Sequence, residues 1–181
     1  MINRLITKFI YIFCTPIFYG KHLGVKFGLN CYISTKGFSS EGGLISVGNN
    51  VRIAREVLLL THGGVWALRH AYEDMKDFDY YGKISIGNNV YIGQRAIIMP
   101  GVKIGNNCVI GAATIVNKSI PDNSIVAGNP CKYITNTDSF VKKMMTQKID
   151  TLGLKGKDKL SFIYNLDESF FIQKPNIKKN I

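Results

Sequence analysis

Cysteine is scarce and unpatterned in this sequence. The four present, Cys14, Cys31, Cys108 and Cys131, match neither a disulfide framework nor a C-x2-C zinc spacing, which points to reduced thiols in a cytosolic chain. No apolar run is long enough to span a bilayer. The longest candidate, Phe9 to Tyr19, is too short and is interrupted by Pro16. No small-residue cleavage site follows it, which argues against a secretory signal. Acid is short as well: 12 Asp and Glu stand against 23 Lys and Arg, a formal net charge of +11. That excess favours an anionic partner such as nucleic acid, an acidic membrane surface or a phosphate-bearing small molecule. Part of it sits in the lysine-rich tail (KKMM, KGKDK, IKKN). No nucleic-acid-binding motif accompanies the charge, so nucleic acid is disfavoured.

What is present suits one ordinary domain. The chain has 181 residues, 46% of them hydrophobic, enough to bury a real core. Near the start, Ile2, Leu5, Ile6, Phe9, Ile12 and Phe13 fall at helical spacing, with Arg4, Lys8 and Tyr11 elsewhere. Residues 1–19 therefore read as an amphipathic helix. It either packs on its own domain or lies in the plane of a membrane surface, a peripheral contact.

An internal repeat is the strongest signal. From Ile86 a step of six meets Ile92, Ile98, Ile104, Ile110 and Val116, and upstream Val47, Ile53 and Leu59 keep the step. Four residues after each anchor comes a small or β-branched residue: Val51, Val57, Val90, Ala96, Val102, Cys108, Thr114 and Ile120. Asn-Asn pairs recur at 49–50, 88–89 and 106–107, where turns need residues that tolerate left-handed backbone. Neither a helix nor an ordinary strand has a period of six. A coil of short strands does, if it turns a corner every six residues, points the anchor inward and closes a triangular prism after three sides. Such coils bury their apolar face only against each other. Cys108 then takes a small inward position and has a packing role.

Leu59 is followed by no anchor at 65; the next is Ile86. About 21 residues are therefore inserted at one corner, a loop at about 63–83, and His62 stands where the chain leaves the prism. The insertion is rich in aromatics and acids. That composition suits a carbohydrate wall, with Trp66 and Tyr81 as the candidate stacking rings. Gly63 and Gly64 read as a swing of the backbone away from the imidazole. Glu41, on the coil before, is the candidate to orient the ring, the alternative being a solvated turn carboxylate. His70 and His22 read as structural.

The repeat, the segment ISIGNNVYIGQRAIIMPGVKIGNNCVIGAATIVNKSIP and the closing VAGNPCKYI resemble the hexapeptide-repeat acyltransferases, over roughly residues 20–135. Within that family the chain is most similar to the sugar O-acetyltransferases of bacterial surface-polysaccharide gene clusters and to the maltose and galactoside acetyltransferases. The resemblance implies an all-β fold, a left-handed parallel β-helix, where the general crossover rule would give a right-handed path. After the N-terminal helix it implies a left-handed β-helix acyltransferase domain over 20–135, then a C-terminal helix and extension over 136–181. It implies that His62 is the general base, taking a proton from an acceptor hydroxyl that attacks acetyl-CoA; an imidazole ordinarily titrates in the range that suits this work. By position it places Gln94 and Ala112 along the pantetheine arm of CoA, and Asn117, Lys118 and Lys132 near the phosphates. A homotrimer with active sites between subunits, a cytoplasmic location and no metal follow from the same likeness. This sequence carries Gly63 where relatives often have an acid directly after the histidine. Helical spacing recurs over Ser139–Leu154, with Phe140, Met144 and Ile149 on one side. Residues 155–181 carry no assignable pattern.

Other readings stay open on the residues alone. They are N-acetylation of an amino sugar or an antibiotic, a non-enzymatic β-helix scaffold, and a zinc carbonic anhydrase, which would need three histidines on facing coils.

Overall fold

The computed structural model describes residues 2–174 and 176. Met1 and the IKKN stretch at 177–180, which belong to the first and last expected segments, lie outside the described residues. The chain divides into two compact units, residues 1–137 and 138–181.

The first unit opens with α1 (Ile2–Phe13) and α2 (Pro16–His22). The single helix expected over 1–19 is thus two. Pro16 at the first turn of α2 cannot donate to a continuing helix, and Thr15 caps the new one, its Oγ1 accepting from the Phe18 N–H at 3.3 Å. The orientation of α1 also differs from packing through its apolar face. Tyr11 meets Tyr19 edge-on at 5.2 Å and Thr7 Oγ1 bonds His22 Nε2 at 3.0 Å, so the polar side faces the body. Leu5, Ile6, Phe9, Ile12 and Phe13 are all exposed.

Thirteen strands then run in turn through three parallel sheets. The first sheet holds β1 (Lys26–Phe27), β4 (Ile45–Val47), β7 (Ile84–Ile86) and β10 (Lys103–Ile104). The second holds β2 (Tyr32–Ile33), β5 (Arg52–Ile53), β8 (Tyr91–Ile92), β11 (Val109–Ile110) and β13 (Ser124–Ala127). The third holds β3 (Gly37–Phe38), β6 (Leu58–Leu59), β9 (Ile97–Ile98) and β12 (Ile115–Val116). Each strand from β1 to β9 thus pairs with the strand three later, the mark of a coil with three sides. Every anchor of the six-residue comb is buried, and so is the residue four places after each, except Gly63 where the inserted loop leaves the coil. Phe27, Ile33 and Phe38 add an earlier coil, in register with Val47, Ile53 and Leu59. The comb misses it because two of its anchors are aromatic and one of its steps is five.

The corners explain the Asn-Asn pairs. Asn50, Asn89 and Asn107, with Asn30 and Asn123, hold φ between 55° and 58°, a region where Asn is tolerated better than most side chains. Their side chains form a ladder: each Nδ2 of Asn30, Asn50, Asn89 and Asn107 donates to the Oδ1 of the next, at 2.9 to 3.2 Å. Gly87 shows how tightly the coils stack, for a Cβ there would stand 2.7 Å from the Gly105 carbonyl. Cys108 is fully buried, and its Sγ donates to the Asn106 and Pro121 carbonyls.

Gly128–Pro130 turns the chain, and β14 (Lys132–Asn136) comes back antiparallel to β13, covering the open edge of the second sheet. α3 (Thr137–Met145), which begins at the last residue of the first unit, stops well before Leu154. Thr146 Oγ1 takes the Lys143 carbonyl at 2.8 Å, and Gly153 turns the backbone at φ 86°. The stretch without a readable pattern contains α4 (Gly156–Tyr164).

Candidate active site

Two departures from the coil build this site, and both occur at the corner after the third sheet. Three residues past Phe38 the chain reaches Glu41 and a short 3-10 turn, Gly42–Leu44. Three residues past Leu59, one coil later, it reaches His62. Because β3 and β6 are in register, the two side chains meet: His62 Nδ1 lies 2.9 Å from Glu41 Oε2. The imidazole is half exposed and the carboxylate less so, at 50% and 31%.

Glu41 is well supplied with donors. Thr61 Oγ1 donates to Oε2 at 2.8 Å and Ser40 Oγ donates to Oε1. Burial alone would push the carboxyl up. Hydrogen bonds from Ser40, Thr61, His62 and the backbone outweigh it and hold the group at about 2. At neutral pH Glu41 is therefore an anion with only acceptors to offer. The hydrogen between the two groups must sit on His62 Nδ1, which leaves the lone pair on Nε2. The pair has the logic of a histidine base set in its tautomer by a carboxylate.

The inserted loop returns beside this pair. His62 and Tyr81 form an antiparallel bridge, and their rings lie 6.2 Å apart, edge to face. The Gly82 N–H closes the loop on the Thr61 carbonyl at 2.7 Å. Tyr81, Glu41, Gly43 and Leu44 line a hollow of about 430 Å³. Gly63 serves a different neighbour from the one its sequence position suggests. A Cβ there would fall 1.8 Å from the Tyr80 hydroxyl, so the residue makes room for a phenol of the returning loop. Gly64 has open space around it. Within the loop, Arg69 bonds the Phe78 carbonyl at 2.9 Å and pairs with Asp79.

Trp66 lies elsewhere. It is exposed on the 3-10 turn Val65–His70, meets the His70 ring at 5.7 Å, and lines a separate hollow with Arg69, Glu73 and Lys76. The three histidines are thus partnered apart: His22 with Thr7, His62 with Glu41, His70 with Trp66. Among the described residues no three His, Cys, Asp or Glu side chains gather to hold a metal ion.

The residues expected on the cofactor side fall on two corners and one strand. Gln94 and Ala112 share the corner after the second sheet, joined by the Ala113 N–H on the Gln94 carbonyl at 2.8 Å. Gln94 borders a hollow that also contains Arg52 and Arg55. Asn117 and Lys118 follow β12 at the same corner as His62, two coils further on, and Lys132 opens β14. All five are exposed. Among the described residues neither Lys118 nor Lys132 has an ion-pair partner.

Residues 83–118 match the family model described as bacterial transferase hexapeptide (six repeats). Protein CapG of Staphylococcus aureus is 40% identical over 149 residues, which is 80% of this chain and 85% of that protein. The chain belongs to the hexapeptide-repeat transferase family. Galactoside O-acetyltransferase of Escherichia coli (strain K12) is 38% identical over 66% of this chain; the match spans 57% of that protein, a little over half its length. A solved structure of galactoside acetyltransferase in complex with coenzyme A is 28% identical, with TM-score 0.55 over 78% of this chain and 82% of that one.

Among the residues of this hexapeptide-repeat chain that sequence reasoning passed over, Thr61 and Ser40 matter most. Thr61 carried a readable signal. It continues the inward alternation of Val57 and Leu59 and is fully buried, yet bears a hydroxyl that needs a partner. Ser40, exposed in a turn, carried none.

Proposed function

We propose that the chain is an acetyl-CoA-dependent O-acetyltransferase that acylates a hydroxyl of a sugar or surface-polysaccharide precursor, with His62 as general base. The observation that carries this reading is the imidazole hydrogen-bonded to Glu41 at the root of the inserted loop. Glu41 holds Nδ1–H, and Nε2 is left to act. His62 Nε2 takes the hydroxyl proton as the oxygen bonds to the thioester carbonyl carbon, and returns it to the thiol when the C–S bond breaks. Base catalysis of this kind contributes ~10²–10⁴-fold. The likeness to galactoside O-acetyltransferase supports a sugar hydroxyl as acceptor. Tyr81 offers an exposed ring beside the base for a sugar face, and Trp66 offers a second at the far side of the loop.

The chain has groups that fit coenzyme A. Small residues line the corner at Gly93 and Ala112, where a Cβ on Gly93 would stand 2.5 Å from the Ala112 nitrogen. Gln94 and Ala112 border the path of the arm, and Asn117, Lys118 and Lys132 present unpaired polar and cationic heads for phosphates. When bound as acetyl-CoA, the coenzyme supplies the activated acyl group. The three-sided coil is read as a left-handed β-helix over 20–135, acting as a cytoplasmic homotrimer that completes each active site between subunits.

The test is thiol release from acetyl-CoA against a panel of galactosides, other sugars and oligosaccharides, with wild type beside His62→Ala. Sugar-dependent release that falls at least ~10²-fold in the variant supports the reading. Equal release by both proteins overturns the role of His62, and no release or acetyl-CoA binding by wild type overturns the activity.

A further inference from the structure

We infer that α1 is a docking surface for an anionic lipid bilayer, on which the protein lies with the helix in the membrane plane. The inference stands apart from the acetyl-transfer reading, since it uses none of that site's residues. α1 is mounted with its polar side inward. Thr7 bonds His22, Tyr11 packs on Tyr19, and Lys36 Nζ lies 5.4 Å from the Tyr11 ring centre while bonding the Tyr11 carbonyl. These contacts fix the rotation of the helix. They leave Leu5, Ile6, Phe9, Ile12 and Phe13 as one apolar face, with the Phe9 and Phe13 rings tilted against each other at 4.8 Å and each at least 60% exposed. An amphipathic helix built to complete a core would turn this face to the body.

Charge selects the occupant. Residues 1–40 contain Arg4, Lys8, Lys21, Lys26 and Lys36 and no acid; the first carboxylate of the chain is Glu41. Arg4 and Lys8 stand beside the apolar face, on the side leading to Tyr11 at 3.6 residues per turn. A face of Leu, Ile and Phe bordered by cations is the pattern of helices that bury their apolar side at the headgroup boundary and draw anionic lipid to the flank. An antiparallel two-fold pairing of this face with a second copy would bring the two Arg4–Lys8 flanks along one seam, with no acid on α1 or α2 to relieve them.

The full-length protein is mixed with vesicles of phosphatidylcholine alone or with phosphatidylglycerol, and pelleting is measured at low and high salt. The variants are Phe9→Ser with Phe13→Ser, which leaves charge unchanged, and Arg4→Gln with Lys8→Gln. Thermal melting and sizing accompany each. Wild type should pellet with the anionic vesicles and less in salt. Both double variants should bind about tenfold or more weakly while keeping the melting temperature and oligomeric size of wild type. Wild type failing to pellet overturns the inference. So does binding that survives the Phe variants, which would be adsorption by net charge alone, and so does a change of oligomeric size in the Phe variants, which would make the face a contact between copies. Acetyl-transfer activity on a soluble sugar should be the same in all three proteins, so loss of membrane binding and failure of the catalytic reading are separate results.

Discussion

Replacing Glu41 by Gln tests whether the carboxylate acts through the histidine. The change keeps size and one acceptor oxygen but removes the charge. In the wild type, Oε2 accepts from both His62 Nδ1 at 2.9 Å and Thr61 Oγ1 at 2.8 Å. A glutamine oxygen at that place still accepts, but without the ionic contribution. Its NH₂, if turned toward the ring, stabilises the wrong tautomer. A hydrogen bond to a charged group contributes about 1.5–3 kcal/mol. Lost from the transition state, where the imidazole becomes cationic, that is a drop of roughly 10- to 100-fold in kcat/KM. The assay is thiol release from acetyl-CoA with the best sugar of the panel. The double variant Glu41→Gln with His62→Ala decides the mechanism, because a positioning residue has nothing left to position once the base is gone. The double variant should be no slower than His62→Ala alone. A Glu41→Gln enzyme as fast as wild type refutes the reasoning, and so does a double variant slower by the full product of the two losses.

Three further outcomes follow from the same geometry. Gly63→Ala should displace the loop through Tyr80 and cut activity with the sugar, while the coil's circular dichroism stays as in wild type; an unchanged KM and kcat would contradict the close approach. Gly87→Ala should destabilise by overpacking two stacked coils, about 1–3 kcal/mol, read as a lower melting temperature. The Glu41 carboxyl is depressed in the fold, so its stabilising contribution is complete above its unfolded value of roughly 4.3 and is lost as pH falls toward about 2. Between those values wild type should lose stability more steeply than Glu41→Gln, which denaturant melts at stepped pH will show.

The repeat was the most legible part of this protein, because an aliphatic step of six has few other structural solutions. Its limits were equally physical. The first coil is built on Phe27, Ile33 and Phe38, so a comb of aliphatics at constant step passes over it. The periodicity of α1 revealed an amphipathic helix but not which side meets the body. That choice rests on Tyr11, Tyr19, Thr7 and His22, partners joined only in three dimensions. Glu41 was readable as a candidate carboxylate on the coil before His62; that both stand three places past a strand of the third sheet shows only once Phe38 is placed against Leu59. Of the carboxylate's two hydroxyl partners Thr61 carried a readable signal and Ser40 none, and both help to hold it ionised. The loop's aromatics were visible as composition, yet Trp66 and Tyr81 border different hollows, because the 3-10 turn Val65–His70 separates them.

A comb of identical teeth can mesh one tooth out. If a coil were threaded one side late, its inward residues would still be aliphatic, and its bent corners would still match: six places after Asn50, Asn89 and Asn107 stand Glu56, Arg95 and Ala113, also at positive φ. The amide ladder breaks that symmetry. It occupies one corner of three, and a shifted coil would set its asparagines against an ion pair of Arg95 and Glu56. The rungs joining that coil to its neighbours, roughly 1 kcal/mol each, would be forfeited. The ladder is therefore a phase mark for winding. By fixing which side of each coil comes first, it puts the residue three past Phe38 directly under the residue three past Leu59. Asparagines at the corner between the first and second sheets thereby help to set a carboxylate beneath the imidazole at the corner after the third.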